Sequence, residues 1–91
     1  MVANSVTSVE IAEGTRGITD YVFYYCESLT NVKIPNSLIH IGEKAFYNCN
    51  TLKDIDFDGT REQWNAITKG DDWNSYTGNY VVRCTDGDIN K

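Results

Sequence analysis

A repeat of 23 residues constrains this chain more than any other feature of its sequence. The best-formed copy runs from Leu29 to Thr51, and the flanking copies carry apolar residues at the same spacing. The matching residues are Val6, Val9, Ile11, Ile18, Phe23 and Cys26 in the first copy, and Leu52, Ile55 and Phe57 in the third. A fixed period of this size is typical of a solenoid, in which each coil buries its apolar face against its neighbours.

Each copy predicts extended segments. Polar and apolar residues alternate in the first segment, which turns the valine, isoleucine and phenylalanine side chains inward and the central charge outward. These first segments are residues 8–12, 31–34 and 54–58, and shorter second segments follow at residues 17–18 and 39–41. Stacking the coils brings equivalent segments side by side as short parallel strands.

The rest of each complete copy predicts a short helical turn, at residues 20–26 and 43–49. Each turn begins with an acidic residue, which a helix N-terminus favours. Its phenylalanine and cysteine are three residues apart and share the inward face of a helix. The predicted fold class is therefore an α/β solenoid, a leucine-rich-repeat-like stack of about three 23-residue coils.

The pattern breaks after Phe57, and the remaining residues predict a C-terminal cap made of a helix and a strand. Thr60 and Gln63 have the spacing of a capping box, and the helix that follows is expected to end near Gly70. Residues 80–84 predict a final strand. A terminal unit that is longer and differently composed is expected to close a repeat array.

We treat the chain as one domain, with repeat coils over residues 1–57 and the capping segment over residues 58–91. The coils comprise residues 6–28, residues 29–51 and the start of a third at 52–57. Val6 already occupies a repeat position, so the first coil has no polar cap before it. We therefore expect a C-terminal fragment of a longer protein, with self-association through the uncapped N-terminal coil as a possible consequence.

The net charge of -5 and the scattered placement of the 8 basic residues argue against a nucleic-acid partner. They argue equally against binding to an anionic membrane surface. No apolar run reaches the roughly 20 residues of a membrane span. The first residues also lack the charged and apolar regions of a signal peptide.

The motif formed by seven residues of the best copy and the first residue of the next resembles the BspA-like leucine-rich repeats of bacterial surface proteins. These residues are Ile34, Pro35, Ser37, Gly42, Ala45, Phe46 and Cys49, followed by Leu52. Residues 57–67 and 82–87 resemble the closing segment of such arrays. The first copy departs from the pattern, with Ala12, Thr19 and Val22 in place of the proline, glycine and alanine. The resemblance implies a curved solenoid for adhesion or protein binding, an exported parent protein at the cell surface or outside the cell, and no catalytic residues.

Other candidate chemistry is weak. The run that starts at Asp54 matches the opening of a calcium loop, but Asn65 occupies the twelfth position, where a bidentate glutamate is required. His40 has no neighbouring thiolate or base with which to form a catalytic or zinc site. Cys26 and Cys49 are predicted to be buried, inert thiols, with a disulfide between them as the less favoured alternative. We therefore predict no enzyme activity, no cofactor and no metal site.

Charged residues at one repeat position give the best candidate for a binding face. Glu10, Lys33 and Asp56 share a register, and Arg83 extends their row if the last strand has the same orientation. Such a row is either a solvated charge ladder that helps to set strand register or the partner-binding face of the array.

The aromatic residues of the cap give a second candidate. Trp73 and Tyr76 lie in a polar, turn-rich stretch and either stack on a sugar or fill the core of the cap. Three functions remain open: an adhesion or protein-interaction module with a host surface or matrix protein as partner, a purely structural cap for a longer array, and a carbohydrate-binding module.

Overall fold

A computed structural model describes residues 5–91; the assignment of residues 1–4 to the repeat region lies outside the described residues. The described residues form eight strands and one helix. In chain order they are β1 (Ser8–Glu10), β2 (Gly17–Ile18), β3 (Asn31–Ile34), β4 (His40–Ile41), β5 (Asp54–Phe57), α1 (Arg61–Ala66), β6 (Thr68–Lys69), β7 (Val81–Cys84) and β8 (Gly87–Asn90).

The strands form two sheets on two sides of the solenoid. The larger sheet has the order β1-β3-β5-β7-β8, and the smaller one has the order β2-β4-β6. All pairs are parallel except β7 with β8, which is an antiparallel hairpin at the C-terminal edge. The prediction of stacked coils with parallel strands about 23 residues apart is confirmed.

The third side of the solenoid consists of turns, and the short helical turns that the sequence predicts there do not form a helix. Residues 20–25, 43–48 and 71–76 form three hydrogen-bonded turn segments that stack on one another. Within the first segment, the Tyr21, Phe23 and Tyr25 amides donate to carbonyls of the second coil at 2.8–3.0 Å. Because alternate amides bond to the next coil, they cannot make the i to i−4 bonds of a helix.

The third coil is longer than the first two. Residues that pair between β3 and β5 are 23 apart in the sequence. Residues that pair between β4 and β6 are 28 apart, since Thr68 pairs with His40. The extra residues accommodate α1, whose capping box is present as predicted: Thr60 Oγ1 accepts from the Gln63 amide at 3.1 Å. The helix ends at Ala66, before the predicted position near Gly70, because the chain must then extend to form β6.

A continuous apolar core fills the space between the three sides. It is built from the repeat positions that the sequence predicts to face inward, including Leu29, Val32, Ile34, Ile41, Phe46, Cys49, Leu52, Ile55 and Phe57, each with 0–3% of its surface exposed. No polar or charged residue among those described is buried. Cys26 and Cys49 are buried thiols rather than halves of a disulfide, as predicted.

Candidate protein-interaction surface

Strand pairing places the predicted charges in one row across the larger sheet. Glu10 pairs with Lys33, Lys33 with Asp56, and Asp56 with Arg83. The antiparallel hairpin adds Asp88 opposite Arg83, which lengthens the row to five alternating charges. We call the outward side of this sheet the sheet face. Its second row, two residues earlier on the first four strands, consists of Ser8, Asn31, Asp54, Val81 and Asn90.

Arg83 forms ion pairs within the sheet face, although not with its row neighbour Asp56. Its guanidinium lies 3.0 Å from Asp54 Oδ1 and 3.3 Å from Asp88 Oδ2. Sequence reasoning missed both partners. Asp54 belongs to the other outward row, and Asp88 lies on β8, a strand that the sequence does not predict. Because 53% of the Arg83 side chain is exposed, each pair contributes at most about 1 kcal/mol.

At the opposite end of the row, the charges of Glu10 and Lys33 are not neutralised by ion pairs of this kind within the described chain. Within residues 5–91, Glu10 and Lys33 form no ion pair within 4.0 Å. Asp56 accepts a hydrogen bond from Asn31 Nδ2 at 3.0 Å, which fixes its carboxylate beside the Lys33 strand. An open depression of about 270 Å³ lies here, lined by Glu13, Lys33, Asp56, Phe57 and Asp58. A mixed-charge depression of this kind is suited to polar and charged groups of another protein.

The two predicted glycan-stacking residues lie in different environments. Trp73 is half-buried and packs against the core, with its ring centroid 6.2 Å from that of Phe46 and 6.1 Å from those of Trp64 and Tyr80. Tyr76 is 68% exposed and touches Tyr47 instead. The structure therefore does not bring Trp73 and Tyr76 together as a stacking platform.

Cys26, Cys49 and His40 are three further side chains that could carry chemistry. Cys49 Sγ lies 3.1 Å from the Phe23 carbonyl, to which its thiol donates, and burial raises its pKa to about 12. Burial also raises the pKa of Cys26, so both thiols hold their protons at neutral pH. His40 is exposed on β4. Among the described residues, no three His, Cys, Asp or Glu side chains are arranged to hold a metal ion.

No helix within residues 5–91 is long and apolar enough to cross a membrane.

Stacked coils with two parallel sheets, a turn side and a hairpin at the C-terminal edge define a leucine-rich-repeat-like solenoid. The family model described as "BspA type Leucine rich repeat region (6 copies)" matches residues 2–69, which is more than half of the chain. The chain therefore belongs to the BspA-type leucine-rich-repeat family, and the predicted resemblance is confirmed. No curated protein and no solved structure matches the chain significantly.

Family membership makes the chain a repeat protein of a type used for protein interaction. Such repeat proteins are typically non-catalytic and typically lie at the cell surface or are secreted.

Proposed function

We propose that this chain is a protein-interaction and adhesion module of an exported bacterial repeat protein, and that it binds its partner through the sheet face. The observation that carries the proposal is the in-register row of outward-facing charges, with Lys33 and Glu10 outside any ion pair among the described residues. A surface built only to stabilise itself would pair these charges as it pairs Arg83. The partner class is a host surface or matrix protein that carries complementary charges.

The test exchanges two charges of the row in the double variant Lys33→Asp, Asp56→Lys, which keeps the net charge. Wild type and variant are immobilised and exposed to a panel of purified extracellular-matrix proteins in a surface-plasmon-resonance assay. We expect at least one matrix protein to bind the wild type and to lose about tenfold or more in affinity for the variant. The free energy of unfolding is expected to fall by no more than about 2 kcal/mol, because Lys33 is exposed and the half-buried Asp56 loses one hydrogen bond, from Asn31.

The C-terminal hairpin favours a second candidate function, that of a structural cap. A parallel sheet that ended at β7 would expose a row of unpaired backbone groups, which invites association with other chains. The antiparallel β8 pairs with β7 and becomes the edge itself, as a strand of four residues that carries the charged Asp88, and short, charged edge strands discourage further pairing. Arg83 joins β8 to β5 through Asp88 and Asp54. Removing residues 85–91 should therefore cause aggregation, measured by light scattering; a truncated chain that stays folded and monomeric would argue against the capping role.

A further inference from the structure

A chain of tyrosine rings crosses all three turn segments on the side away from the sheet face. We call it the tyrosine stripe: Tyr21, Tyr24, Tyr25, Tyr47 and Tyr76. Ring centroids lie 5.2 Å apart between Tyr21 and Tyr24, 5.2 Å between Tyr24 and Tyr47, and 5.3 Å between Tyr47 and Tyr76. The stripe is therefore continuous from the first coil to the third.

The stripe is an exposed surface and not an extension of the core. Four large hydrophobic residues of the described chain are exposed, and three of them belong to it: Tyr21 at 44%, Tyr25 at 43% and Tyr76 at 68%. The core of the same turn segments is filled separately, by Phe23, Phe46 and Trp73. A clustered exposure of large rings indicates an interaction site.

The backbone beneath the exposed rings supports a functional origin for them. Tyr21, Tyr25 and Tyr76 have φ angles of 63°, 60° and 61°, in the left-handed region that large side chains rarely adopt. Asn48 occupies the position equivalent to Tyr25 and Tyr76 with φ 59°, and asparagine tolerates this conformation well. Lys44 and Asp72 occupy the position equivalent to Tyr21 with φ 52° and 54°, so the left-handed turn does not itself require a ring at any of these sites.

The charges around the stripe indicate the chemistry of its partner. The turn segments with Glu27 carry five acidic residues, Asp20, Glu27, Glu43, Asp71 and Asp72, and a single basic one, Lys44. The Lys44 ammonium already lies 5.8 Å from the Tyr21 ring centroid and 5.5 Å from that of Tyr47. Tyr21 Oη donates to Glu43 Oε2 at 3.3 Å, so carboxylates and ring faces are side by side. This surface attracts cations that stack on rings.

We propose that the tyrosine stripe binds an arginine-rich segment of a partner protein. A planar guanidinium can stack on a tyrosine ring while its N–H groups pair with a neighbouring carboxylate, whereas a lysine ammonium offers only a point charge. This site is independent of the sheet face, because the two lie on different sides of the solenoid.

The experiment measures fluorescence anisotropy of labelled hexa-arginine and hexa-lysine peptides with the intact chain. The wild type is expected to bind the arginine peptide more tightly than the lysine peptide by a factor of about five. The double variant Tyr25→Asn, Tyr76→Asn should lose about tenfold in affinity for the arginine peptide. Asparagine already occupies the equivalent position at Asn48, so this variant removes two rings without straining the turns.

Two controls separate stacking from general attraction to a chain of net charge -5. Tyr25→Phe, Tyr76→Phe keeps the rings and should retain the wild-type affinity. The charge-exchanged sheet-face variant should also retain it. Equal binding of both peptides, or unchanged affinity in the asparagine variant, would overturn the proposal. A loss of peptide binding in the sheet-face variant alone would assign the peptide to the other side and overturn it as well.

Discussion

Gly42 lies where the second coil passes close to the first. A Cβ atom built on it would be 2.5 Å from the Asp20 amide nitrogen and 2.5 Å from Asp20 Oδ1. Gly70, the equivalent residue of the third coil, would meet the Glu43 backbone at 2.6 Å. The missing side chain thus faces the preceding coil in both cases. This explains the glycine of the repeat motif and identifies Thr19 as its substitute in the first coil.

Replacing Gly42 by alanine should lower the free energy of unfolding by about 1–3 kcal/mol, since the new methyl group forces the two coils apart. Urea denaturation measures the effect. Gly17→Ala is the matched control because its Cβ would meet only the His40 carbonyl, at 3.8 Å. We expect that control to change stability by about 0.5 kcal/mol or less. Equal losses in the two variants would contradict the stacking geometry.

Cys49 should make stability fall at alkaline pH. Its pKa rises from 9.0 to about 12 on folding, so the folded chain keeps a proton that the unfolded chain releases above pH 9. The thiol's contribution is therefore fully present below pH 9 and is lost as the pH rises toward 12, by up to about 1.4 kcal/mol per pH unit. Chemical denaturation between pH 8 and about pH 11 should show a shallower slope in Cys49→Ser. An identical slope would show that Cys49 does not titrate as described.

At the level of elements, the repeat period predicted the larger sheet well because its strands need only alternation and equal spacing. The turn segments are not helical as predicted, and the difference has a physical reason. A pair of inward residues three apart, such as Phe23 and Cys26, fits a helix, and it also fits a turn with left-handed residues at each end. Only the bonds to the next coil distinguish the two, and these are not visible in a local window.

The two strands that sequence reasoning missed, β6 and β8, are defined by their partners. Thr68–Lys69 extends because β4 offers backbone groups to it, and Gly87–Asn90 because β7 does. Neither segment has enough alternating residues to predict a strand by itself. For the same reason the sequence does not place Asp88 on the candidate binding face. The row from Glu10 to Asp56 follows from the 23-residue period. Arg83 lies 27 residues after Asp56, and its place in the row follows from the orientation predicted for the last strand.

The capping box of α1 allows a test at this scale. Thr60→Ala removes the side chain that accepts from the Gln63 amide, and it should cost about 1 kcal/mol of stability. Thr60→Ser retains the hydroxyl and should cost much less. Thermal or urea unfolding distinguishes them; equal stability of the alanine variant and the wild type would mean that the box contributes nothing to the third coil.

As a whole molecule, the chain separates the residues that stack its coils from the two surfaces that we propose bind partners. Inward residues hold the coils together through an apolar core, while the sheet face and the tyrosine stripe present different chemistry on different sides. The first is a row of alternating charges, and the second is aromatic with acidic neighbours. Such a division lets outward residues vary without disturbing the fold, as in other solenoids.

Binding through the sheet face is best tested by an alanine scan. The scan covers exposed residues on all three sides of the solenoid, and each variant is assayed for binding to the matrix-protein panel. We predict that variants that lose about fivefold or more in affinity cluster on the sheet face around Lys33 and Asp56, with unchanged unfolding transitions. A wild type that bound no matrix protein, or losses that fell on the smaller sheet or were spread evenly over the surface, would contradict binding through the sheet face.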